Sequence, residues 1–273
     1  MAVSPSSRLD ALRAEIRAIE RGGPVPAARP AVPFGLEAVD SRLAGGGLLP
    51  ALHEAAAASA APGDDAAATL FLAALAARVS RAVGRGDGPG QVLWAVARLD
   101  LFAPGLAQAG LTPERLLYAQ CRDDAEVLAV MEEGVRHGSL AAVIGEAGRA
   151  DMTATRRLQL AAEDSGTAAF LLRRWRRTAA DPLAAPSAAC TRWRIGCAPS
   201  SPLPFEADPM DGLGRARWQV ALVRQRGGPP HDWLLEIPDA EARFALPAPA
   251  GDRADRQGGE ERRAVAEVRA KAA

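Results

Sequence analysis

Residues 92–147 read VLWAVARLDLFAPGLAQAGLTPERLLYAQCRDDAEVLAVMEEGVRHGSLAAVIGEA. Three compact apolar runs stand in and beside this stretch: Gln91 to Ala97, Arg115 to Gln120 and Leu140 to Gly145. Each is too short for a buried helix, and the first is preceded by Gly-Pro-Gly, so each suits a central strand of a parallel sheet. Between the second and third lies a helical pattern. Asp123 and Glu126 stand in capping-box spacing, and Val127, Val130, Met131 and Val135 share one side. A strand, a helix and a strand in that order predict βαβ units and an α/β fold.

The pattern continues outward. Thr167 to Leu172 (TAAFLL) reads as a fourth strand, and Asp65 to Val83 and Asp151 to Asp164 as amphipathic helices. After about Thr178 the pattern changes. Asp181 to Ala189 is a Pro/Ala/Ser loop, and Thr191 to Cys197, Arg215 to Gln225 and Asp232 to Ile237 are strand-like. The last two are joined by Gly227-Gly228-Pro229-Pro230, so they predict an antiparallel extension of the sheet. Residues 1–23 read as an N-terminal amphipathic helix, with Leu9, Leu12, Ile16 and Ile19 at spacings of three, four and three. This stripe either packs on the protein's own core or docks a partner. Residues 24–33 form a Pro/Ala linker, residues 34–247 the core, and residues 248–273 a tail expected to be flexible.

Composition limits the chemistry. The chain has 273 residues, 48% hydrophobic and 24% charged, enough for one large or two small domains. No apolar run approaches about 18 residues, so no membrane span is expected. Met1 to Ser7 lacks the features of a secretory signal, and the cytoplasm is the expected compartment. The 33 basic and 33 acidic residues cancel, which argues against a wholly electrostatic nucleic-acid binder but not against a local arginine patch. Lys271 is the only lysine, so Schiff-base chemistry, a pyridoxal lysine and a phosphate-loop lysine within the core are all excluded. Cys121, Cys190 and Cys197 form no C-x-x-C pair. Cys190 and Cys197 are expected to be ordinary buried thiols. His53, His137 and His231 have no metal-ligand spacing and are expected to be structural.

Two places invite a functional reading. A phosphate loop would fall at residues 56–65, but the stretch reads AAASAAPGDD. It has one glycine, a proline that removes an amide donor, and two carboxylates that repel phosphate. At the end of LAAVIG stands Glu146, which is either a magnesium carboxylate or a cap or surface residue.

Three blocks carry a family resemblance: FGLEAVDSRLAGGGLLPALHE (34–54), the stretch quoted first (92–147), and DMTATRRLQLAAEDSGTAAFLLRR (151–174). Over roughly residues 30 to 240 the chain resembles the RecA-like damage-inducible mutagenesis proteins of the ImuA type. It is also similar to RecA strand for strand. The RecA phosphate-loop lysine and Ser/Thr are missing here. Where RecA has its catalytic glutamate, this chain continues Arg98-Leu99-Asp100-Leu101. The resemblance implies a RecA-like domain with a mainly parallel sheet flanked by helices. The departures from RecA in the phosphate loop and after the strand 91–97, with the lack of metal-ligand spacing, set the expectation of no cofactor, no metal and no catalysis.

The function the resemblance implies is that of a non-enzymatic accessory protein in SOS-induced, error-prone translesion DNA synthesis. The implied partners are an inactive Y-family-like polymerase homologue, a DnaE-type polymerase and RecA. Two other readings stay open: a SulA-like cell-division inhibitor that binds the division GTPase, and an ATPase with an atypical loop. In RecA the loop after the strand matching TAAFLL contacts single-stranded DNA. Here that position holds Arg173, Arg174, Trp175, Arg176 and Arg177, which suit phosphate contacts and base stacking. The other reading of these five is a solubilising strand end with Trp175 packed in the core. Arg192, Arg194, Arg215 and Arg217 either extend the patch or are scattered by strand alternation.

Overall fold

A computed structural model describes residues 29–84, 89–175, 181–200 and 214–247. The N-terminal stripe of Leu9, Leu12, Ile16 and Ile19, the arginines Arg176 and Arg177, and the tail 248–273 lie outside the described residues.

The fold is α/β. One eight-stranded sheet has the order β3-β2-β4-β5-β1-β6-β7-β8. The strands are β1 (Leu52–Ala57), β2 (Val92–Val96), β3 (Leu116–Gln120), β4 (Ala142–Glu146), β5 (Ala168–Arg173), β6 (Thr191–Ala198), β7 (Arg217–Gln225) and β8 (His231–Glu236). The first six run parallel to one another; β7 is antiparallel to β6 and β8 to β7, giving the expected extension. All residues of β1, β4 and β5 are buried, as continuous apolar strands between two helical layers must be.

The helices are α1 (Glu37–Asp40), α2 (Pro62–Ala82), α3 (Ala103–Gln108), α4 (Asp124–His137) and α5 (Met152–Ser165). Helix α2 lies on one face, where Phe71, Leu72 and Leu75 meet Trp94, Ile144, Phe170 and Trp193. Helices α4 and α5 cover the other face, with Val127, Met131 and Leu158 against Val143 and Leu171. Both begin with an aspartate cap. Asp123 accepts from the Glu126 amide (2.9 Å) and Asp151 from the Ala154 amide (2.7 Å). The Glu126 carboxylate reaches back to the Arg122 amide at 2.7 Å, one residue earlier than a standard capping box. Both helices end at a left-handed glycine, Gly138 and Gly166.

One boundary differs from expectation. The stretch expected as a loop over residues 56–65 is mostly structured: β1 runs on to Ala57, and α2 begins at Pro62 rather than Asp65. The expected ten-residue loop shrinks to residues 58–61. Pairing of Ala57 with Ile195 extends the strand, and Pro62 is pre-set for the first helical turn.

Candidate functional site

The carboxyl ends of β1, β2, β4 and β5 open onto two clefts, the position where open α/β sheets hold ligands. The smaller, about 780 Å³, is lined by Pro62, Asp65, Arg98, Asp100, Glu146 and Arg174. The larger, about 1080 Å³, lies between the N-terminal turns of α4 and α5, with Arg98, Arg122, Arg149, Asp151, Arg173 and Asp181 on its walls. Arg98, Asp124 and Arg174 border both.

Arg174 is the centre of this edge. Its Nε and Nη2 donate to one oxygen of Glu146, at 2.9 and 2.7 Å. Its Nη1 is ion-paired with Asp65 and donates to Thr69 Oγ1 at 3.2 Å. The second Glu146 oxygen accepts from Trp94 Nε1 at 2.9 Å. Glu146 is therefore neither a surface residue nor a cap. Burial pushes its pKa up, against the opposing pull of Arg174 and Trp94. Burial likewise works against the Arg174 charge, but Glu146 and Asp65 outweigh it and hold the guanidinium firmly protonated. A fixed internal cation thus spans the gap between the first turn of α2 and the end of β4.

The neighbouring loop is closed in a similar way. Asp64 accepts from Ser59 Oγ at 2.6 Å and from the Cys197 amide at 2.7 Å, tying residues 58–61 to β6. Pro62 removes one amide donor from the start of α2, and Asp64 and Asp65 occupy its first turn. Their charge favours the helix dipole and opposes an anion.

A second ion-pair group lies one strand pair deeper. Glu54, 0% exposed in the middle of β1, accepts from Arg173 Nη1 at 3.1 Å and from Arg192 Nε at 2.8 Å. Arg173 also donates to the Ala150 carbonyl at 3.2 Å. Of the expected DNA-contacting run Arg173 to Arg177, the three described residues, Arg173, Arg174 and Trp175, all have partners within the protein. Strand β5 runs one residue further than TAAFLL, so Arg173 lies inside the sheet, 3% exposed, in register with Ala56. Arg173 and Arg174 spend their charge on internal carboxylates. Trp175 packs against the core and donates to the Ala57 carbonyl at 2.9 Å. Arg192 joins Arg173 on Glu54, whereas Arg194 pairs with Asp181 and Arg215 with Glu236. Arg192 and Arg194, two apart on β6, share one face of the sheet, so separate carboxylate partners and not strand alternation keep these side chains apart.

The remaining candidates have local partners. His53 is buried, with Nδ1 at 2.7 Å from Thr191 Oγ1 and Nε2 at 2.8 Å from the Leu49 carbonyl. Burial lowers its pKa to about 4, so the ring is neutral; it donates to Leu49 and accepts from Thr191. His137 bonds Ser139, and His231 lies edge-on to Trp233. Among the described residues no group of three or more His, Cys, Asp or Glu could hold a metal. Cys190 is buried as expected, but Cys197 is exposed, since β6 carries it past the end of the core beside Gly63.

Sequence reasoning missed Glu54 and the role of Asp65. The signal for Glu54 was a carboxylate inside an otherwise apolar strand, which requires a buried cation. Nothing in the sequence said which cation.

Two curated relatives, both named Protein ImuA and from two strains of Caulobacter vibrioides, are 38% identical to the chain over 216 residues. The match covers 77% of this chain and 85% of each relative. The chain belongs to the ImuA family of damage-inducible mutagenesis proteins. No protein-family model matches it. In this ImuA-family chain Glu54, Trp94, Glu146, Arg173 and Arg174 fall within the three blocks that carried the resemblance, whereas Asp65, Thr69, Asp181, Arg192 and Arg194 lie outside them. No helix among the described residues is long and apolar enough to cross a membrane.

Proposed function

We propose that the chain is a non-enzymatic, RecA-like accessory protein of SOS-induced, error-prone translesion synthesis. It bridges polymerase-associated partners, namely a Y-family-like polymerase homologue and a DnaE-type polymerase, and works beside RecA on single-stranded DNA. The observation that carries the non-enzymatic reading is Arg174 held between Asp65 and Glu146. In a nucleotide-hydrolysing relative of this fold, that gap between the phosphate loop and the strand-end carboxylate must stay open for the triphosphate and its magnesium. Here a protein cation fills it, and the first turn of α2 offers carboxylates in place of a lysine.

A titration with a fluorescent ATP analogue tests this reading. The expected result is no saturation into the millimolar range, with or without magnesium. Saturation below about 10 µM would overturn it. DNA contact is read by anisotropy of labelled single strands at two salt concentrations. The informative variant is Arg176→Ala with Arg177→Ala, leaving Arg173 and Arg174 in their ion pairs. Each lost phosphate contact flattens the salt slope by about 0.7. A slope unchanged by both substitutions removes these two residues from the DNA contact.

A further inference from the structure

The charges beneath the larger cleft do not balance. Arg173 and Arg194 stand in register on either side of Ala56, and Arg192 stands beside Glu54, all on one face of the sheet. Among the described residues two carboxylates pair with them. Glu54 holds Arg173 and Arg192, and Asp181 holds Arg194. Arg192 also acts on Asp181, but three guanidiniums still meet two carboxylates, and one positive charge is left over. Arg173 is 3% exposed and Arg192 6%. Arg173 makes its hydrogen bonds through Nη1 alone, to Glu54 and to the Ala150 carbonyl. Its Nε is buried without a partner, and its Nη2 donates to no described group. Nη2 of Arg192 is buried and unpartnered as well. Buried donors on a group with surplus positive charge cost stability until an acceptor reaches them. Nε and Nη2 form one edge of a guanidinium, the fork that holds an anion by two parallel hydrogen bonds. Arg173 is one of the residues that line the cleft.

We propose that this cleft binds an acidic, aliphatic peptide of a partner protein, with one peptide carboxylate on the Arg173 fork. The walls favour a peptide over a nucleic acid. Ala97, Leu128, Ala150, Ala154, Pro182 and Ala184 line them and suit aliphatic side chains. No aromatic ring stands among the described residues of the cleft, so a base has nothing to stack on. The helix-start amides that would cradle a phosphate are already taken. Asp123 accepts from the Glu126 amide, Asp124 from the Arg149 amide and Asp151 from the Ala154 amide. Arg98 and Arg122 are held by Asp100 and Glu126. Arg149, exposed on the wall, has no ion pair among the described residues and meets a second acidic residue of the peptide. This inference stands on the cleft alone and is independent of the function proposed above.

Fluorescence anisotropy on the full chain tests it, with a fluorescein-labelled octapeptide of alternating leucine and glutamate as the probe. The expected result is saturation below about 1 mM. The counterpart of alternating leucine and glutamine is expected to bind at least about tenfold more weakly. Ala125→Glu adds a carboxylate at an exposed wall position in the first turn of α4, where it suits the helix dipole. That variant and Arg149→Glu are each expected to weaken binding about tenfold, with unchanged circular dichroism. Arg173→Lys keeps a charge beside Glu54, removes the fork and is expected to abolish saturation. Should it fail to fold, the two surface variants make the same test. A wild type that does not saturate by about 1 mM overturns the proposal, as does a glutamine peptide that binds equally well. Wild-type affinity in both surface variants overturns the location. An octathymidylate that displaces the peptide at equal concentration overturns the peptide assignment and makes the cleft a nucleic-acid site.

Discussion

At the residue scale, the buried charges are the most exacting feature of this sequence. Glu54 holds two guanidiniums, Arg173 and Arg192, with no water-exposed surface of its own. Removing one member of a buried ionic group leaves the rest uncompensated, which costs about 3–5 kcal/mol. Glu54→Gln is therefore expected to lower the urea midpoint sharply, whereas Arg98→Ala, on the surface, should move it by less than about 0.5 kcal/mol. Equal effects from the two would mean that the triad contributes no more than a surface pair. His53 gives a pH-dependent test. Burial lowers its folded pKa to about 4, against an ordinary value of 6.5. The unfolded chain thus binds the proton more readily between those two values, and stability rises with pH across that window. Its contribution is intact above pH 6.5. As the pH falls to about 4 it is lost, by about 3 kcal/mol in all. Urea unfolding at pH 7 and at pH 5 should show the slope in the wild type and a flatter one in His53→Gln. An equal slope in both would place the proton uptake elsewhere. None of these pairings could be read from the sequence, because the partners of Glu54 lie 119 and 138 residues away. The run RRWRR looks like one surface cluster until the end of β5 is known to lie one residue further along.

At the element scale, sequence and structure agree wherever the local signals are strong. The parallel strands were readable because both faces are buried, which makes their apolar runs continuous. Helices α4 and α5 were readable because aspartate caps and C-terminal glycines mark their ends. The β1–α2 junction was not, because Ala55 to Ala61 carries almost no turn or period signal; there, pairing to β6 decides where the strand stops. Glycine in β4 shows how tightly the layers fit. A Cβ on Gly145 would stand 2.1 Å from Met131 Sδ and 3.1 Å from Val127 Cγ1. Helix α4 can lie this close to the sheet only because position 145 has no side chain. Gly145→Ala forces Met131 to a new rotamer or α4 outward, and overpacking of this kind costs about 1–3 kcal/mol. Gly46→Ala provides the contrast: it meets no atom within 4 Å, though its φ of 67° makes alanine strained there. Thermal melts of the two would separate crowding from backbone strain. Only Gly145→Ala should be relieved by shortening the facing side chain with Met131→Ala. A double variant no more stable than Gly145→Ala would mean that the backbone, not Met131, sets the limit.

At the scale of the whole molecule, the two ends of the described chain meet over α2. Val32 bridges Leu48, and Phe34 lies 5.5 Å from Phe244, ring centre to ring centre. Both rings also lie against Phe71 of α2, at 6.2 and 5.8 Å. The segment 238–246 is buckled onto the same helix. Arg78 donates to the Pro33 and Ala242 carbonyls, and Arg81 to the carbonyls of Ala240 and Glu241. One helix therefore joins the entry of the chain, the parallel half of the sheet and the far end past the antiparallel extension. Such an arrangement predicts a single cooperative unit, in which β6–β8 do not unfold independently of β1–β5. Phe34→Ala and Phe244→Ala each remove a buried aromatic ring and should each cost about 3–5 kcal/mol. Because the rings touch and share Phe71, their effects should not add. The double variant should lose less than the sum, by about 0.5–3 kcal/mol. Unfolding of each variant, followed both by tryptophan fluorescence and by far-ultraviolet circular dichroism, reads the cooperativity directly. Trp218 and Trp233 report on the antiparallel extension, Trp193 on β6 where the two halves join, and Trp94 and Trp175 on the parallel half. Coincident midpoints from both probes, together with a non-additive pair, mean that α2 binds the sheet into one unit. Separated midpoints in the wild type would mean that the antiparallel extension is an independent unit, and the shared contact at Phe71 would then be a local contact only.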